Sequence, residues 1–314
     1  MKVYNGIIGL VVGDALGVPF ELKKRDTFKA EKMIGYGIYH QPPGTWSDDS
    51  SLTLATVASI GRTGKIDPSD IMKHFFMWLN DGAYTPYGSV FDIGGTTRKA
   101  ICKYALGIEP LKCGGENRMD NGNGALMRIL PLAFIPHTIQ DILNVGKLTH
   151  AHEISQTACR LYIYLAGKLI EGTPIKEAIC SLAYLQPVTQ MEEFKRIAYI
   201  GKLNRDKIRS SGYVIDTLEA ALWCLWVTNA YKDCVLTAVN LGGDTDTVAA
   251  VAGGLAGIVY GCGGKNGIPT RWINQIARKE WIQSLCTNFE NKFQNKPGNA
   301  DRDAGFSQAV VAET

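Results

Sequence analysis

The stretch GTWSDDSSLTLATVASI, residues 44–60, places an acidic cluster at the start of an apolar helical run. Ser47, Asp48 and Asp49 are residue types favoured at helix starts, because their side-chain oxygens accept hydrogen bonds from free backbone N–H groups. A carboxylate there also lies at the positive end of the helix dipole. One acid is enough for this purpose, so the second acid predicts a further role.

A second acidic cluster, VNLGGDTDT at residues 239–247, opens another apolar helix. Asp244 and Asp246 are two positions apart and would not share a face of a regular helix. Gly242 and Gly243 allow an irregular turn that brings the two acids together, since glycine accepts backbone angles that other residues avoid. The helix that follows is rich in Ala and Gly, which predicts the close approach of another helix backbone.

Each acidic cluster on its own has an ordinary structural explanation. An acid pair at a helix start is more often a cap or a solvated loop than a ligand site. Together the clusters indicate more, because four carboxylates brought close would repel one another and could not all stay ionised. Divalent cations would neutralise them, and oxygen ligands without His or Cys favour Mg²⁺, Mn²⁺ or Ca²⁺ over zinc. The hypothesis is that the second aspartate of residues 48–49 is a metal ligand.

The composition argues against nucleic-acid and membrane partners. The 314 residues carry 33 Lys and Arg against 30 acids, a net charge of +3 that is too weak to indicate nucleic-acid binding. No apolar stretch of membrane-spanning length is expected. The apolar segment before Asp14 is interpreted as a buried first helix rather than a signal peptide. The eight cysteines form no C-x-x-C pair, which favours reduced, buried thiols in a cytoplasmic protein.

Helical periodicity dominates the chain, and alternation of the β kind is nearly absent. Asp67 followed by Pro68 predicts a helix start, and Asp216 with Glu219 three residues later resembles a capping box. The expected fold class is all-α, with glycine and chemistry concentrated in the loops. Further helices are predicted at 154–170 and 248–260, and functional loops at 35–46, 81–97, 112–124 and 240–247.

Several motifs in order resemble the ADP-ribosylglycohydrolase family, which includes the bacterial enzyme that removes ADP-ribose from dinitrogenase reductase. The resemblance runs from about residue 6 to 285. It implies a single orthogonal multi-helix domain over residues 1–290, with a two-metal centre in a cleft that binds ADP-ribose, followed by a flexible tail at 291–314. The motifs are GIIGLVVGDALGVPFE at 6–21, GTWSDDSSLTLA at 44–55, GNGALMRILPLAF at 122–134, LTHAH at 148–152, YVIDTLEAALW at 213–223 and AVNLGGDTDTVAAVAGGLAGIVYG at 238–261.

The resemblance also implies roles for individual residues. Two divalent cations, Mg²⁺ or Mn²⁺, would be held by a set of acids and hydroxyls, and Asp48 or Glu21 would transfer the proton. The NGNG stretch at 121–124 has an ordinary explanation as a tight turn, but in this family its backbone N–H groups would approach the diphosphate. The implied metal ligands are Ser47, Asp48, Asp49, Asp244, Asp246 and Thr247. The implied ADP-ribose contacts are Asn121, Gly122, Asn123, Gly124, Met127, His150 and Tyr213.

The implied function is metal-dependent removal of ADP-ribose from a modified protein, with arginine as the first choice of acceptor. A metal-activated water would attack the anomeric carbon, and free ADP-ribose would be the product. Two alternatives stay open: an immunity protein that counteracts an ADP-ribosylating toxin, which would then be a partner, and a non-catalytic ADP-ribose-binding relative. The acceptor linkage and the choice between Mg²⁺ and Mn²⁺ are also left open.

Overall fold

The computed structural model describes residues 2–294, and within that range it is all-α. Backbone pairing between extended segments there is limited to isolated bridges. The fold class expected from the periodicity is therefore confirmed. The helices are α1 (Lys2–Gly17), α2 (Asp48–Thr63), α3 (Pro68–Asp81), α4 (Gly95–Ala105), α5 (Ile139–Lys147), α6 (Glu153–Glu171), α7 (Ile175–Ser181), α8 (Gln186–Gln190), α9 (Val214–Val227), α10 (Tyr231–Val239), α11 (Thr245–Tyr260), α12 (Thr270–Ile273) and α13 (Lys279–Gln294).

The centre of the molecule is the pair α1 and α11, which lie backbone against backbone. A Cβ atom added at Gly13 would overlap the carbonyl oxygen of Ala249, and one added at Gly17 would overlap the backbone of Asp246. Only glycine permits this approach, as the small residues of α11 predicted. The consequence is that the end of α1 lies directly against the acidic start of α11.

Two predicted helix starts had different outcomes. Asp67 caps α3 as expected, since its carboxylate accepts from the N–H groups of Ser69 and Asp70. The capping box predicted at 216–219 is wrong, because α9 already begins at Val214. Its start is set by a backbone bridge between Tyr213 and the distant loop at 122, which a local pattern does not reveal.

The first helix is the segment most easily mistaken for a membrane span. Contrary to the sequence expectation, Lys2–Phe20 is long and apolar enough to cross a membrane by length and composition. However, 89% of its apolar window is buried inside the protein. It is a core helix, as the interpretation of the segment before Asp14 predicted.

The domain boundaries remain predictions. The last helix, α13, continues to Gln294 and so enters the proposed tail at 291–314. Residues 295–314 lie outside the described part of the chain. All eight cysteines are free, and five of them are buried, but Cys102, Cys180 and Cys262 are exposed.

Candidate active site

The start of α2 is capped without the side chains of Asp48 and Asp49, because the Ser47 hydroxyl accepts from the N–H of Asp49 and Asp14 satisfies two further N–H groups. Asp14, from α1, accepts hydrogen bonds from the N–H groups of Ser47 at 2.9 Å and Ser50 at 3.0 Å, and from the Ser50 hydroxyl at 2.6 Å. A buried carboxylate from another helix therefore satisfies this helix start. The side chains of Asp48 and Asp49 are left for another role.

The start of α11 is irregular, as the two glycines predicted. Gly242 and Gly243 both adopt left-handed backbone angles, with φ of +73° and +74°. Asp244 occupies the cap position but makes no capping hydrogen bond with its side chain. Instead its Oδ2 accepts from Nδ2 of Asn123 at 2.8 Å. The Asp244 carboxylate is thereby turned away from its own helix.

The two acidic clusters meet in the interior. The Thr247 hydroxyl donates to Oδ2 of Asp49 at 3.3 Å, and the Ser47 hydroxyl donates to the same oxygen at 2.9 Å. Asp14, Asp49 and Asp246 are all buried and present carboxylate oxygens within 4.8 Å of one another. The structure therefore brings together residues from three helices that are far apart in the chain.

A second group of carboxylates adjoins the first. Glu21, Asp92 and Asp246 also present oxygens within 4.8 Å of one another, and Glu21 and Asp92 are only partly buried. Asp246 belongs to both groups, so the two groups form one continuous acidic surface. The first group is its interior part, and the second is the part that approaches solvent.

Burial dominates the electrostatics of these acids. It raises the pKa of Asp14 to about 6 and the pKa of Glu21 to about 7. Burial, followed by the charges of neighbouring carboxylates, raises the pKa values of Asp48, Asp49 and Asp246 well above their usual range. Without a cation the acids cannot all be ionised, because each charge is desolvated and faces like charges.

The donor set fits a hard divalent cation. Asp49 Oδ1 and Asp244 Oδ1 are buried without a hydrogen-bond partner, which costs free energy unless something else satisfies them. Both carboxylate groups found among residues 2–294 consist of carboxylates alone, with no His or Cys. Oxygen ligands of this kind suit Mg²⁺, Mn²⁺ or Ca²⁺ better than zinc.

The loop at 121–124 is held against the start of α9. Asn123 N–H donates to the carbonyl of Gly212 at 3.0 Å, and Val214 N–H donates to the carbonyl of Asn121 at 3.0 Å. Gly122 forms a backbone bridge with Tyr213, whose side chain is 36% exposed. Since Asn123 also contacts Asp244, this loop connects an exposed aromatic ring to the acidic cluster.

His150 and Met127 lie beneath this loop. His150 is buried, with Nδ1 2.8 Å from the Thr149 hydroxyl, and burial lowers its pKa to about 3, which keeps it neutral. Met127 is buried too, and its carbonyl accepts from the Thr53 hydroxyl at 3.2 Å. In this structure both residues contact the 121–124 loop, His150 against its glycines and Met127 through its N–H to the carbonyl of Asn123. Direct contact of either residue with a ligand stays a prediction.

The comparison with known proteins agrees with this geometry. The family model for ADP-ribosylglycohydrolase matches residues 1–299, which includes both acidic clusters and the 121–124 loop. The chain belongs to the ADP-ribosylglycohydrolase family. It is accordingly a glycohydrolase enzyme, and the family resemblance noted from the sequence motifs is confirmed.

Individual members of the ADP-ribosylglycohydrolase family match along most of the chain. The ADP-ribosylarginine hydrolase Tri1 of Serratia proteamaculans is 33% identical, over 91% of this chain and 78% of its own. The ADP-ribosyl-[dinitrogen reductase] glycohydrolase of Rhodospirillum rubrum is 32% identical, over 88% of this chain and 91% of its own. A solved ADP-ribosylglycohydrolase-related protein complex superposes with a TM-score of 0.76 at 29% identity, covering 93% of this chain and 97% of its own.

Three residues at the acidic surface were not predicted from the sequence. Asp14 was interpreted only as the end of an apolar segment, although an acid within such a segment is itself a signal. Asp92 stands alone in a loop and offered no local pattern. Tyr39 hydrogen-bonds to both Asp92 and Glu21. These hydrogen bonds lower the pKa of each carboxyl group, but burial raises it by more.

Proposed function

We propose that this enzyme hydrolyses the bond between ADP-ribose and an arginine side chain of a modified protein, with Mg²⁺ or Mn²⁺ as cofactor. The observation that carries the proposal is the buried group of Asp14, Asp49 and Asp246, with unsatisfied oxygens beside it. The choice of arginine is supported by two relatives that are ADP-ribosylarginine hydrolases, at 33% and 32% identity.

Two cations would be held by the residues at the starts of α2 and α11. When bound, they would supply a Lewis acid that orients the ribose hydroxyls and activates a water. The chain positions these ligands through its own hydrogen bonds, as Asp14 does for Ser47 and Asn123 does for Asp244. The proposed ligands are Ser47, Asp48, Asp49, Asp244, Asp246 and Thr247.

Glu21 and Asp92 are the proposed proton-transfer groups. Both are partly buried at the outer part of the acidic surface, and burial raises their pKa values, that of Glu21 to about 7. A partly buried carboxyl group at this place can give a proton to the departing guanidine nitrogen. The other can accept the proton of the attacking water. Asp48, the other candidate from the sequence besides Glu21, is more deeply buried.

The rest of ADP-ribose would lie along the 121–124 loop. The backbone N–H groups of Gly122 and Gly124 would approach the diphosphate, and the missing Cβ at 124 leaves room for the side chains of Thr97 and His150. Tyr213 offers an exposed ring on which adenine could stack, and its backbone is bridged to the same loop. The distal ribose then reaches the acidic cluster next to Asn123.

The test is a comparison of acceptor linkages. Arginine-, serine- and glutamate-linked ADP-ribosyl proteins are incubated separately with the enzyme, with Mg²⁺, Mn²⁺ or EDTA, and free ADP-ribose is measured. Release from the arginine-linked protein alone, abolished by EDTA, is the expected result. Preferential release from serine, or release that EDTA does not affect, would overturn the acceptor or the cofactor respectively.

A further inference from the structure

We propose that an exposed apolar rim beside the acidic surface binds the polypeptide that carries the modified arginine, so that the enzyme recognises the acceptor protein as well as ADP-ribose. The rim consists of Tyr36 and Ile38, on a segment called here the tongue, residues 35–41. The inference rests on the proposed function, because it concerns the substrate of the same site.

The tongue is held in one conformation at a cost in backbone strain. Tyr36 has φ of 73° and ψ of −110°, angles that a bulky side chain rarely adopts. Its N–H donates to the carbonyl of Gln41, which closes the tongue as a backbone bridge. A Cβ added at Gly37 would overlap the backbone of Pro19, so the tongue also lies tightly on the segment after α1. Strain of this kind persists where the surroundings maintain it, and it concentrates at functional sites.

The strained conformation divides the tongue's side chains between the site and solvent. Tyr39 faces inward to Glu21 and Asp92, and its ring centroid lies 5.1 Å from that of Phe91. Tyr36 and Ile38 are 63% and 52% exposed. Single exposed apolar residues are common on protein surfaces. Here, however, a segment held by a backbone bridge and by close contact with Pro19 displays two of them beside a residue that contacts the proton-transfer groups.

The position of the tongue favours contact with the acceptor protein. The anomeric bond must lie at the acidic surface, whose interior part is closed by Asp14, Asp49 and Asp246. The acceptor must therefore leave past Glu21 and Asp92, which border Tyr39. Hydrogen bonding is complementary there too, because Glu21 Oε2 is buried without a hydrogen-bond partner and the guanidinium group of the acceptor would supply a donor. The chain on either side of that arginine then passes over Tyr36 and Ile38, residue types suited to protein interfaces.

The experiment compares two substrates that share one scissile bond. Wild type and the double variant Tyr36→Asn/Ile38→Ser are assayed on free ADP-ribosyl-arginine and on a folded protein carrying ADP-ribosyl-arginine. Asn accepts positive φ better than Tyr, so the fold should be kept. The variant is expected to lose about tenfold in kcat/KM on the protein, as when interface anchors are removed, and less than about twofold on the small conjugate.

A matched control carries the same substitutions elsewhere. Tyr184→Asn/Leu106→Ser changes an exposed tyrosine and an exposed aliphatic residue outside the tongue, and it should leave both rates unchanged. Equal losses of the tongue variant on both substrates, or no loss on the protein, would overturn the docking proposal while leaving the proposed function intact. A wild-type enzyme that cleaves neither substrate would overturn the proposed function, and this inference with it.

Discussion

Asp49 and Thr247 are 198 residues apart in the chain, yet the hydroxyl of Thr247 donates to Oδ2 of Asp49 at 3.3 Å. This hydrogen bond joins the starts of α2 and α11. It exists because α1 packs against both helices: it touches α11 through glycine contacts and caps α2 with Asp14. The acidic surface is thus a product of how three helices pack.

Asp246→Asn is expected to abolish turnover without loss of fold. Asp246 belongs to both carboxylate groups. Loss of a residue that hydrogen-bonds to a metal ligand typically lowers activity about 10–100-fold. Loss of the ligand itself should cost more, so we expect activity to decrease by more than about 100-fold. In EDTA the variant should melt at the same temperature as wild type or higher, because one crowded carboxylate is removed. Activity and thermal melting are measured in parallel, with the exposed Asp81→Asn as control. Full metal-dependent activity in Asp246→Asn would show that Asp246 is not a ligand.

ADP-ribose should bind much more tightly than AMP, and only ADP-ribose binding should depend on metal. Both ligands offer adenosine to Tyr213, but AMP lacks the distal ribose that would reach the acidic cluster. Calorimetry with each ligand, with Mg²⁺ and with EDTA, measures the difference. ADP-ribose with Mg²⁺ should also raise the melting temperature, by linkage, and EDTA should reduce the gain. Equal affinities for ADP-ribose and AMP, unchanged by EDTA, would place the distal ribose away from the metals.

Gly124→Ala should weaken ADP-ribose binding and destabilise the fold. A Cβ at this position would lie 2.7 Å from Oγ1 of Thr97 and 2.8 Å from Cε1 of His150, so the 121–124 loop must shift. We expect a loss of about 1–3 kcal/mol in the free energy of unfolding, typical of overpacking. Gly95→Ala is the matched control, because a Cβ there meets nothing within 4 Å. Urea denaturation and ADP-ribose calorimetry check both variants, and an unchanged affinity in Gly124→Ala would contradict the role of the loop.

Glu219→Gln should stabilise the protein more at high pH than at low pH. Glu219 is buried with Oε1 unpaired, and burial raises its pKa to about 7, with Arg196 at 3.1 Å only partly opposing this. At pH values between the unfolded pKa of about 4.3 and the folded pKa of about 7, the native state binds more protons than the unfolded state. The free energy of unfolding of the wild type therefore falls as pH rises through this range. Gln does not titrate. The difference in unfolding free energy between variant and wild type should therefore grow from pH 4 to pH 7 and then level off.

Urea denaturation of both proteins across this range measures the difference, and titrations elsewhere in the chain cancel because both proteins share them. The exposed Glu116→Gln is the control for loss of a carboxyl group at the surface. A pH-independent difference for Glu219→Gln would show that the Glu219 carboxyl group is not held protonated in the folded protein.

Local sequence determined much of the fold. Asp67 and Pro68 marked the start of α3 correctly, because a cap and a fixed φ act within one turn of the chain. The Ala and Gly of α11 indicated a close helix contact, and the paired acids indicated the kind of ligand. Each of these signals depends on neighbouring residues, so the sequence alone carries it.

Tertiary structure decided which residues share the site. Asp14 and Asp92 became part of the acidic surface only when distant segments packed together, and Tyr39 reached Asp92 and Glu21 from a strained tongue. The start of α9 was likewise set by a bridge between Gly122 and Tyr213 rather than by its own capping pattern. Hydrogen bonds and charge interactions between residues far apart in sequence do not produce a periodic pattern of residue types in the chain. Sequence therefore determined the helices and the type of chemistry, whereas packing selected the partners of each carboxylate.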